Sequence, residues 1–285
     1  MGVVKTIALV AKRGKADAVE LARQLARRYG DRSFLAERHL AREVGWPVPE
    51  DNARMVAQAD LVIVLGGDGT MLHAARLMRG LRAPVLGVNL GSLGFTTEIR
   101  PEELFHRLDE VFAGRYQVDE RMKLTCKLVR DGQALVDDEV LNDVVLSKGA
   151  VARIADHEML IDGEYVTTYK ADGVIISTPT GSTAYSLSAG GPIVHPSMEC
   201  VAISPICSHA LTQRSLVVSA DRTITVVLKG GTADVFLTID GQVGQPVQSG
   251  DRVEVRRSPN RFPLIRNPAL SYFQVLRQKL HWGER

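Results

Sequence analysis

Five consecutive apolar residues, Leu61-Val-Ile-Val-Leu65, run directly into Gly66-Gly67-Asp68-Gly69-Thr70, and no other stretch constrains the fold as strongly. An uninterrupted branched-chain run of this length reads as a strand buried on both faces, which implies a parallel sheet covered by helices. The three glycines allow backbone N–H groups to approach a ligand, and the helical pattern from Met71 onward places a partially positive helix start beside them. Asp68 is out of place in an anion-binding turn. It makes sense there if a phosphate comes with a cation or if the carboxylate must take a proton. The plain alternative is a tight strand-to-helix turn with Asp68 as the helix N-cap.

The surrounding chain fits an α/β domain. Thr6 to Val10 reads as a first strand, followed by an amphipathic helix between Lys15 and Tyr29 that Gly30 closes. Arg32 to Glu50 is ambiguous and ends in a loop at Pro47 and Pro49. Ala83 to Asn89 reads as another strand, and Pro101 with Glu102 and Glu103 opens a helix reaching about Phe112. After Gly114 the pattern changes to short strands: Met122–Val129, Ala134–Leu146, Ile154–Ile161, Tyr165–Thr168, Gly173–Ser177, Leu216–Val218, Thr223–Leu228, Val235–Ile239 and Arg252–Val255. Asp131-Gly132 and Asp162-Gly163 are hairpin signals, and the region predicts a β-sandwich. A lone amphipathic helix, Leu270 to Leu280, must then pack on something. The expected domains are 1–118 with 265–285, α/β, and 119–264, all-β.

A net charge of +2 is too small to argue for a nucleic-acid or membrane partner. Three cysteines without a C-x-x-C pair point to a reducing, cytoplasmic setting, and the scattered histidines lack zinc-ligand spacing. No apolar run approaches the ~20 residues of a membrane helix. Gly2 formally opens a myristoylation pattern, but the strand that follows argues for packed structure instead.

Four stretches carry unusual residues. Gly66–Thr70, with His73 one turn into its helix, is the first. Asn89 to Thr97 is the second, a glycine-rich loop after a strand, placed where open α/β sheets bind ligands. It matches neither the dinucleotide fingerprint nor a Walker A motif. Asn142-Asp143, inside an otherwise apolar strand, is the third and could equally be a bulge or a solvent-facing edge. The fourth runs from Lys170 and Asp172 to Pro192 through Thr180-Gly-Ser-Thr-Ala-Tyr-Ser-Leu-Ser188. Its hydroxyls and one aromatic suit a nucleotide, and no G-x-S-x-G surrounds its serines.

Gly66–Thr70, Asn142-Asp143, Asp172–Pro192, Pro205–His209, Asp240-Gly-Gln242 and Leu276–Trp282 together resemble the bacterial NAD kinases across nearly the whole chain. The glycine motif is shared with lipid kinases and phosphofructokinases; the Thr-Gly-Ser-Thr-Ala-Tyr-Ser block is specific. The resemblance implies an α/β domain, a β-sandwich domain and a C-terminal helix returning to the first. It implies transfer of the terminal phosphoryl of ATP, or in some members polyphosphate, to the 2′-hydroxyl of the adenosine ribose of NAD. Asp68 would be the general base, with Gly66, Gly67, Gly69 and Thr70 at the phosphates and Mg²⁺ or another divalent cation carried with ATP. NAD would contact Asp68, Gly69, Asn142, Asp143, Asp172, Thr183, Ala184, Tyr185, Ser186, Leu187, Ser188 and Gln242. His73, Arg153 and Lys170 are carried over as NAD contacts as well, at positions that vary more in the family. The usual Asn-Glu pair is here Asn142-Asp143, one methylene shorter. A homo-oligomer, with no membrane or nucleic-acid partner, is implied. The rivals are a lipid kinase and a catalytically idle dinucleotide sensor, which an assay for NADP would separate.

Overall fold

The computed structural model describes residues 4–149, 155–210, 212–230 and 234–283. Gly2, Arg153 and Ile154 lie outside the described residues. The chain divides into two compact units, Met1–Glu120 with Phe262–Arg285, and Arg121–Arg261.

In the first unit, β1 (Thr6–Ala11), α1 (Ala16–Arg28), β2 (Ser33–Ala36), α2 (Arg38–Val44), α3 (Asn52–Val56), β3 (Leu61–Gly66), α4 (Asp68–Leu77), β4 (Val85–Asn89) and α5 (Leu104–Phe112) follow in order. Parallel pairing gives the strand order β2-β1-β3-β4. Every residue of β3 is buried, as its unbroken apolar run requires. Leu9, Ile63 and Leu86 pack with Leu21 and Leu25 of α1 and with Leu104 and Leu108 of α5 in one core. Residues 101–103 form a 3₁₀ turn ahead of α5 rather than its first turn. The ambiguous Arg32–Glu50 segment resolves into β2 and α2. Its strand is short and only partly buried, so no apolar run announces it.

Among its described residues the second unit is built of antiparallel strands, with a 3₁₀ turn at Gly181–Thr183 and one short helix between them. It comprises β5 (Val118–Arg130), β6 (Gln133–Val140), β7 (Asp143–Lys148), β8 (Ala155–Ile161), β9 (Glu164–Ala171), β10 (Gly173–Ser177), α6 (Tyr185–Ser188), β11 (Cys200–Ile206), β12 (Leu216–Ser219), β13 (Ile224–Lys229), β14 (Val235–Ile239), β15 (Val243–Val247) and β16 (Arg252–Ile265). One sheet has the order β12-β11-β10-β7-β14-β15. The other joins β16, β13, β8 and β9, with β5 and β6 beside them. Val144 and Leu146, Val174 and Ile176, and Val201 and Ile203 alternate inward from the first sheet. They meet Leu124, Met159, Val226 and Val253 of the second in a single sandwich core.

Two corrections to the sequence reading arise here. Ala134–Leu146 is two strands, because Leu141 and Asn142 turn a corner between β6 and β7. Asn142-Asp143 is therefore a strand entrance, not a bulge inside a strand. The turns Asp131-Gly132 and Asp162-Gly163 have positive φ at both positions, as a tight hairpin demands. Glu139 is caged by Lys123, by the Ser258 hydroxyl at 2.8 Å and by Asn260 Nδ2 at 2.7 Å. Burial alone would push its carboxyl up, but these donors together hold it down at about 2.

The last residues of β16, from Phe262, belong to the first unit, where Leu264 pairs in parallel with Val85. The final helix, α7 (Tyr272–Leu280), belongs to this unit. Its start is set by a Ser271–Gln274 capping box, and Val275 and Leu276 are its buried residues.

Candidate active site

Parallel pairing places the carboxyl ends of β1, β3 and β4 along one edge: Ala11 is opposite Leu65, and Gly66 is opposite Asn89. The segment after β2 joins them, because Glu37 N–H donates to the Leu9 carbonyl at 3.1 Å. Four strand ends therefore deliver their following residues to the same place.

At the centre is Asp68. The cap of α4 is Gly67, and Asp68 is the helix's first residue, so the N-cap alternative is set aside. The Asp68 carboxylate faces the loop after β4 instead. Oδ2 accepts the Phe95 N–H at 2.9 Å. Oδ1 accepts the Thr96 N–H at 2.9 Å and the Thr96 hydroxyl at 2.7 Å. A carboxylate has about four acceptor positions, so Oδ2 keeps capacity for one more donor. Gly94 makes this approach possible: a Cβ there would lie 2.4 Å from both Asp68 Oδ1 and Thr97 Oγ1. Asn89 organises the loop from its root. Its Oδ1 accepts from Gly91 N–H at 2.7 Å, and its Nδ2 donates to the Ser92 carbonyl at 2.6 Å and to Thr97 Oγ1 at 3.1 Å. Gly66 is required on different grounds, since a Cβ there would fall 2.2 Å from Thr70 Oγ1.

A cavity of about 420 Å³ opens beside the turn, lined by Gly67, Gly69, Thr70 and His73 together with Lys12, Arg13, Glu37 and His39. Glu37 is 1% exposed. Its Oε1 accepts the Ala11 N–H at 2.9 Å and its Oε2 lies 3.0 Å from His73 Nε2, while His39 Nδ1 stands 3.5 Å from Oε1. His73 is thus anchored to a buried carboxylate. Sequence reasoning missed Lys12, Arg13, Glu37 and His39. The Lys-Arg-Gly after the first strand was visible only as a turn, and the Glu37 segment had no assigned structure.

The second unit gathers most of the remaining residues around Asn142 and Asp143. The Asp240 carboxylate accepts three successive backbone N–H groups, from Leu141 at 2.9 Å, Asn142 at 2.7 Å and Asp143 at 3.1 Å. Asp240 holds a positive φ of 49° to do so. From the other side, Thr178 donates its N–H to the Asn142 carbonyl at 2.9 Å and its hydroxyl to the Leu141 carbonyl at 2.6 Å. Gly181 packs against the Asn142 backbone so closely that a Cβ would meet its carbonyl oxygen at 2.2 Å. The Thr180–Ser188 block is thereby fixed beside Asn142. Within it, Thr183 Oγ1 bonds the Thr180 carbonyl at 3.3 Å and Tyr185 is exposed. Ala184 and Leu187 are half-buried, Ser188 is exposed, and the Ser186 hydroxyl is buried against Ser204 at 3.4 Å. Lys170 is exposed at the end of β9, and Asp172 pairs with Lys148 at 3.4 Å. Gln242 is exposed in the β14–β15 turn, two residues past Asp240.

Burial, with the charge of Asp240 added, pushes the Asp143 carboxyl up to about 7. Burial also raises Asp240, against the three backbone donors that favour its ionised form. Those donors make Asp240 the charged member of the pair and Asp143 the proton holder. Asp240 stands in the Asp240-Gly-Gln242 motif, but the sequence assigns it no role of its own because Asp240-Gly241 reads as an ordinary turn.

The families described as ATP-NAD kinase N-terminal domain and ATP-NAD kinase C-terminal domain match residues 7–116 and 141–267. The chain is 54% identical over 254 residues to an NAD kinase of Geobacter sulfurreducens, covering 88% of each chain. It is 49% identical to an NAD kinase of Geotalea daltonii, covering 99% of this chain and all of that one. Among solved structures, the yeast NADH kinase complexed with NADH superposes with a TM-score of 0.91 at 26% identity, over all of this chain and 89% of that one. An NAD kinase from Archaeoglobus fulgidus in complex with ATP shares the fold, with a TM-score of 0.77 at 24% identity over 97% of this chain and 98% of that one. The α/β unit with its glycine turn and the β-sandwich unit are thus those of a nucleotide phosphotransferase. The chain belongs to the NAD kinase family, and it is an enzyme that phosphorylates NAD.

Two outcomes follow from the geometry. Gly94→Ala forces the loop off Asp68, and a displacement of this kind should lower kcat for NADP formation by about 100-fold with the circular dichroism spectrum unchanged. A kcat within about threefold of the parent would show that the contact does not matter. For Asp143, the folded state holds a proton that the unfolded state releases from about 3.8 upward. Its stabilising contribution is therefore complete at low pH and is lost as pH rises towards 7. In urea titrations Asp143→Asn should gain up to about 2–4 kcal/mol over the parent at pH 8 and nothing at pH 4.

Proposed function

We propose that Asp68 is the general base that takes the proton from the ribose 2′-hydroxyl of NAD while the terminal phosphoryl of ATP is transferred to it. The observation that carries this reading is the Asp68 carboxylate itself. Three loop donors fix its orientation, and Oδ2 retains an acceptor position beside the Gly66–Thr70 turn. A ribose hydroxyl is a weak nucleophile, so an oriented carboxylate within hydrogen-bond reach of it is the group the chemistry requires.

On this reading Gly66, Gly67, Gly69 and Thr70 meet the donor's phosphates at the start of α4, where helix N–H groups favour negative charge. Lys12 and Arg13, which line the same cavity, add positive charge there. His73, held by Glu37, is placed at that cavity rather than left free to turn. A divalent cation such as Mg²⁺, bound with the donor's phosphates, supplies charge neutralisation during transfer. The one free acceptor position of Asp68 goes to the ribose hydroxyl, so the cation is carried by the donor's phosphates rather than held by the turn.

The second unit supplies dinucleotide recognition: Asn142 and Asp143 for the adenosine half, and Lys170, Asp172, Thr183, Ala184, Tyr185, Ser188 and Gln242 for the rest. The exposed Tyr185 ring suits stacking, while the buried Ser186 hydroxyl leaves its backbone and the adjoining Leu187 as the contact groups. A protonated Asp143 is a donor where the usual longer carboxylate would accept. Free cysteines at 126, 200 and 207 support a cytoplasmic setting. No helix among the described residues is long and apolar enough to cross a membrane. Exposed Tyr165, Val166, Met198, Val217 and Phe236 in the second unit support a homo-oligomer.

Asp68→Asn should lower kcat for NADP formation by about 10²–10⁴ with the Kd for NAD nearly unchanged. Turnover close to the parent's in this variant would remove Asp68 from the role. Light scattering on the purified chain should return at least twice the monomer mass of 31.1 kDa, and a monomer at working concentration would contradict the oligomer.

A further inference from the structure

The first unit holds a second cavity, of about 530 Å³, that NAD phosphorylation as derived above does not use. Its floor is apolar: Leu86 of β4, Ile99, Val111 of α5 and Ile265 are each at most 5% exposed. Its polar wall is cationic, with Arg107, Arg115 and Arg266 against the single carboxylate of Glu110.

The arrangement is built by the chain rather than left by loose packing. Arg107, Glu110 and Val111 fall at i, i+3 and i+4 on one side of α5. Gly114, at φ 72°, ends the helix and sends Arg115 back across the opening, with Arg115 N–H on the Glu110 carbonyl at 2.9 Å. The opposite wall is pinned by Arg266 N–H on the Gln117 carbonyl at 3.0 Å and by Asn267 N–H on Glu98 Oε2 at 3.2 Å. Volume and mixed lining are those of a preformed small-molecule site.

Arg107 shows what is wanted there. Its Nη1 donates to Glu110 Oε2 at 2.8 Å, and the pair holds the Glu110 carboxyl below its ordinary value. Its Nε is buried without a hydrogen-bond partner. Nε is enclosed, so an acceptor in the cavity meets the part of the guanidinium that stays exposed, in a side chain 14% accessible. Glu110 neutralises one charge of the three and leaves the wall net positive, so an anionic head is favoured, and the apolar floor selects one that carries a hydrocarbon body.

We propose that this cavity binds an amphipathic organic acid, its carboxylate on Arg107 between Arg115 and Arg266 and its acyl or aryl body on the Leu86–Ile99–Ile265 floor. The inference stands apart from the role of Asp68, because it can be read by binding alone.

Octanoate is the probe, compared with 1-octanol and octylammonium on the full chain in a thermal-shift titration. Octanoate should raise Tm saturably by about 3 °C at tenfold its half-saturating concentration, while the alcohol and the ammonium leave Tm unmoved. Leu270→Trp, which fills the cavity from its rim, should abolish the shift and leave NADP formation unchanged. Arg107→Met should raise the half-saturating concentration at least tenfold. No saturable shift with octanoate, an equal shift with octanol, or a shift that persists in Leu270→Trp would each overturn the proposal.

Discussion

In each unit one aspartate carboxylate collects backbone N–H groups from a distant segment, and the functional geometry depends on that interaction. Asp68 gathers Phe95 and Thr96; Asp240 gathers Leu141, Asn142 and Asp143. Such charge-assisted bonds are short and stronger than neutral ones, and they anchor loops that have no sheet partners of their own. In the second unit the effect is structural: Asp240 secures the corner at which the chain enters β7, and so aims Asn142. In the first unit the anchoring carboxylate stands at the glycine turn, so the group proposed as the base is oriented by the loop it anchors.

Glycine makes the arrangement possible at three close approaches. Gly66 admits Thr70, Gly94 admits Asp68 and Gly181 admits the Asn142 backbone, each at a separation that a Cβ would violate. These are contacts between segments, not turns needing positive φ, since all the left-handed glycines lie elsewhere. The glycine-rich character of the site is thus in large part a matter of internal packing. Phosphate approach alone would not explain Gly94 or Gly181.

Much of the scaffold was legible in the sequence because its signals are local. The apolar run of β3, the two Asp-Gly hairpins and the helical spacing between Leu270 and Leu280 each depend on neighbours in the chain. Two strands containing proline, β11 and β15, were not legible. Pro205 sits inside β11, where the pairing with β12 covers only Cys200 to Ile203, so its missing N–H faces no partner. Pro246 lies in β15, an edge strand, for the same reason. At the site, Asp68 and Asn142 stood out as polar residues in apolar surroundings. Asp240, Glu37, His39, Lys12 and Arg13 did not, because their meaning comes from partners delivered by topology. Asp240 finds its partners 97 to 99 positions away.

The loop from Asn89 to Thr97 has one more consequence. Asn89 binds it at Gly91, Ser92 and Thr97, Asp68 binds it at Phe95 and Thr96, and Ile99 returns it to the sheet beside Val88. Moving a segment tied at so many points means breaking several hydrogen bonds at once. It is a fixed wall, not a lid. Any closing movement over the transferring phosphoryl group therefore comes from the substrates or from another part of the protein, with this loop as the surface they close against.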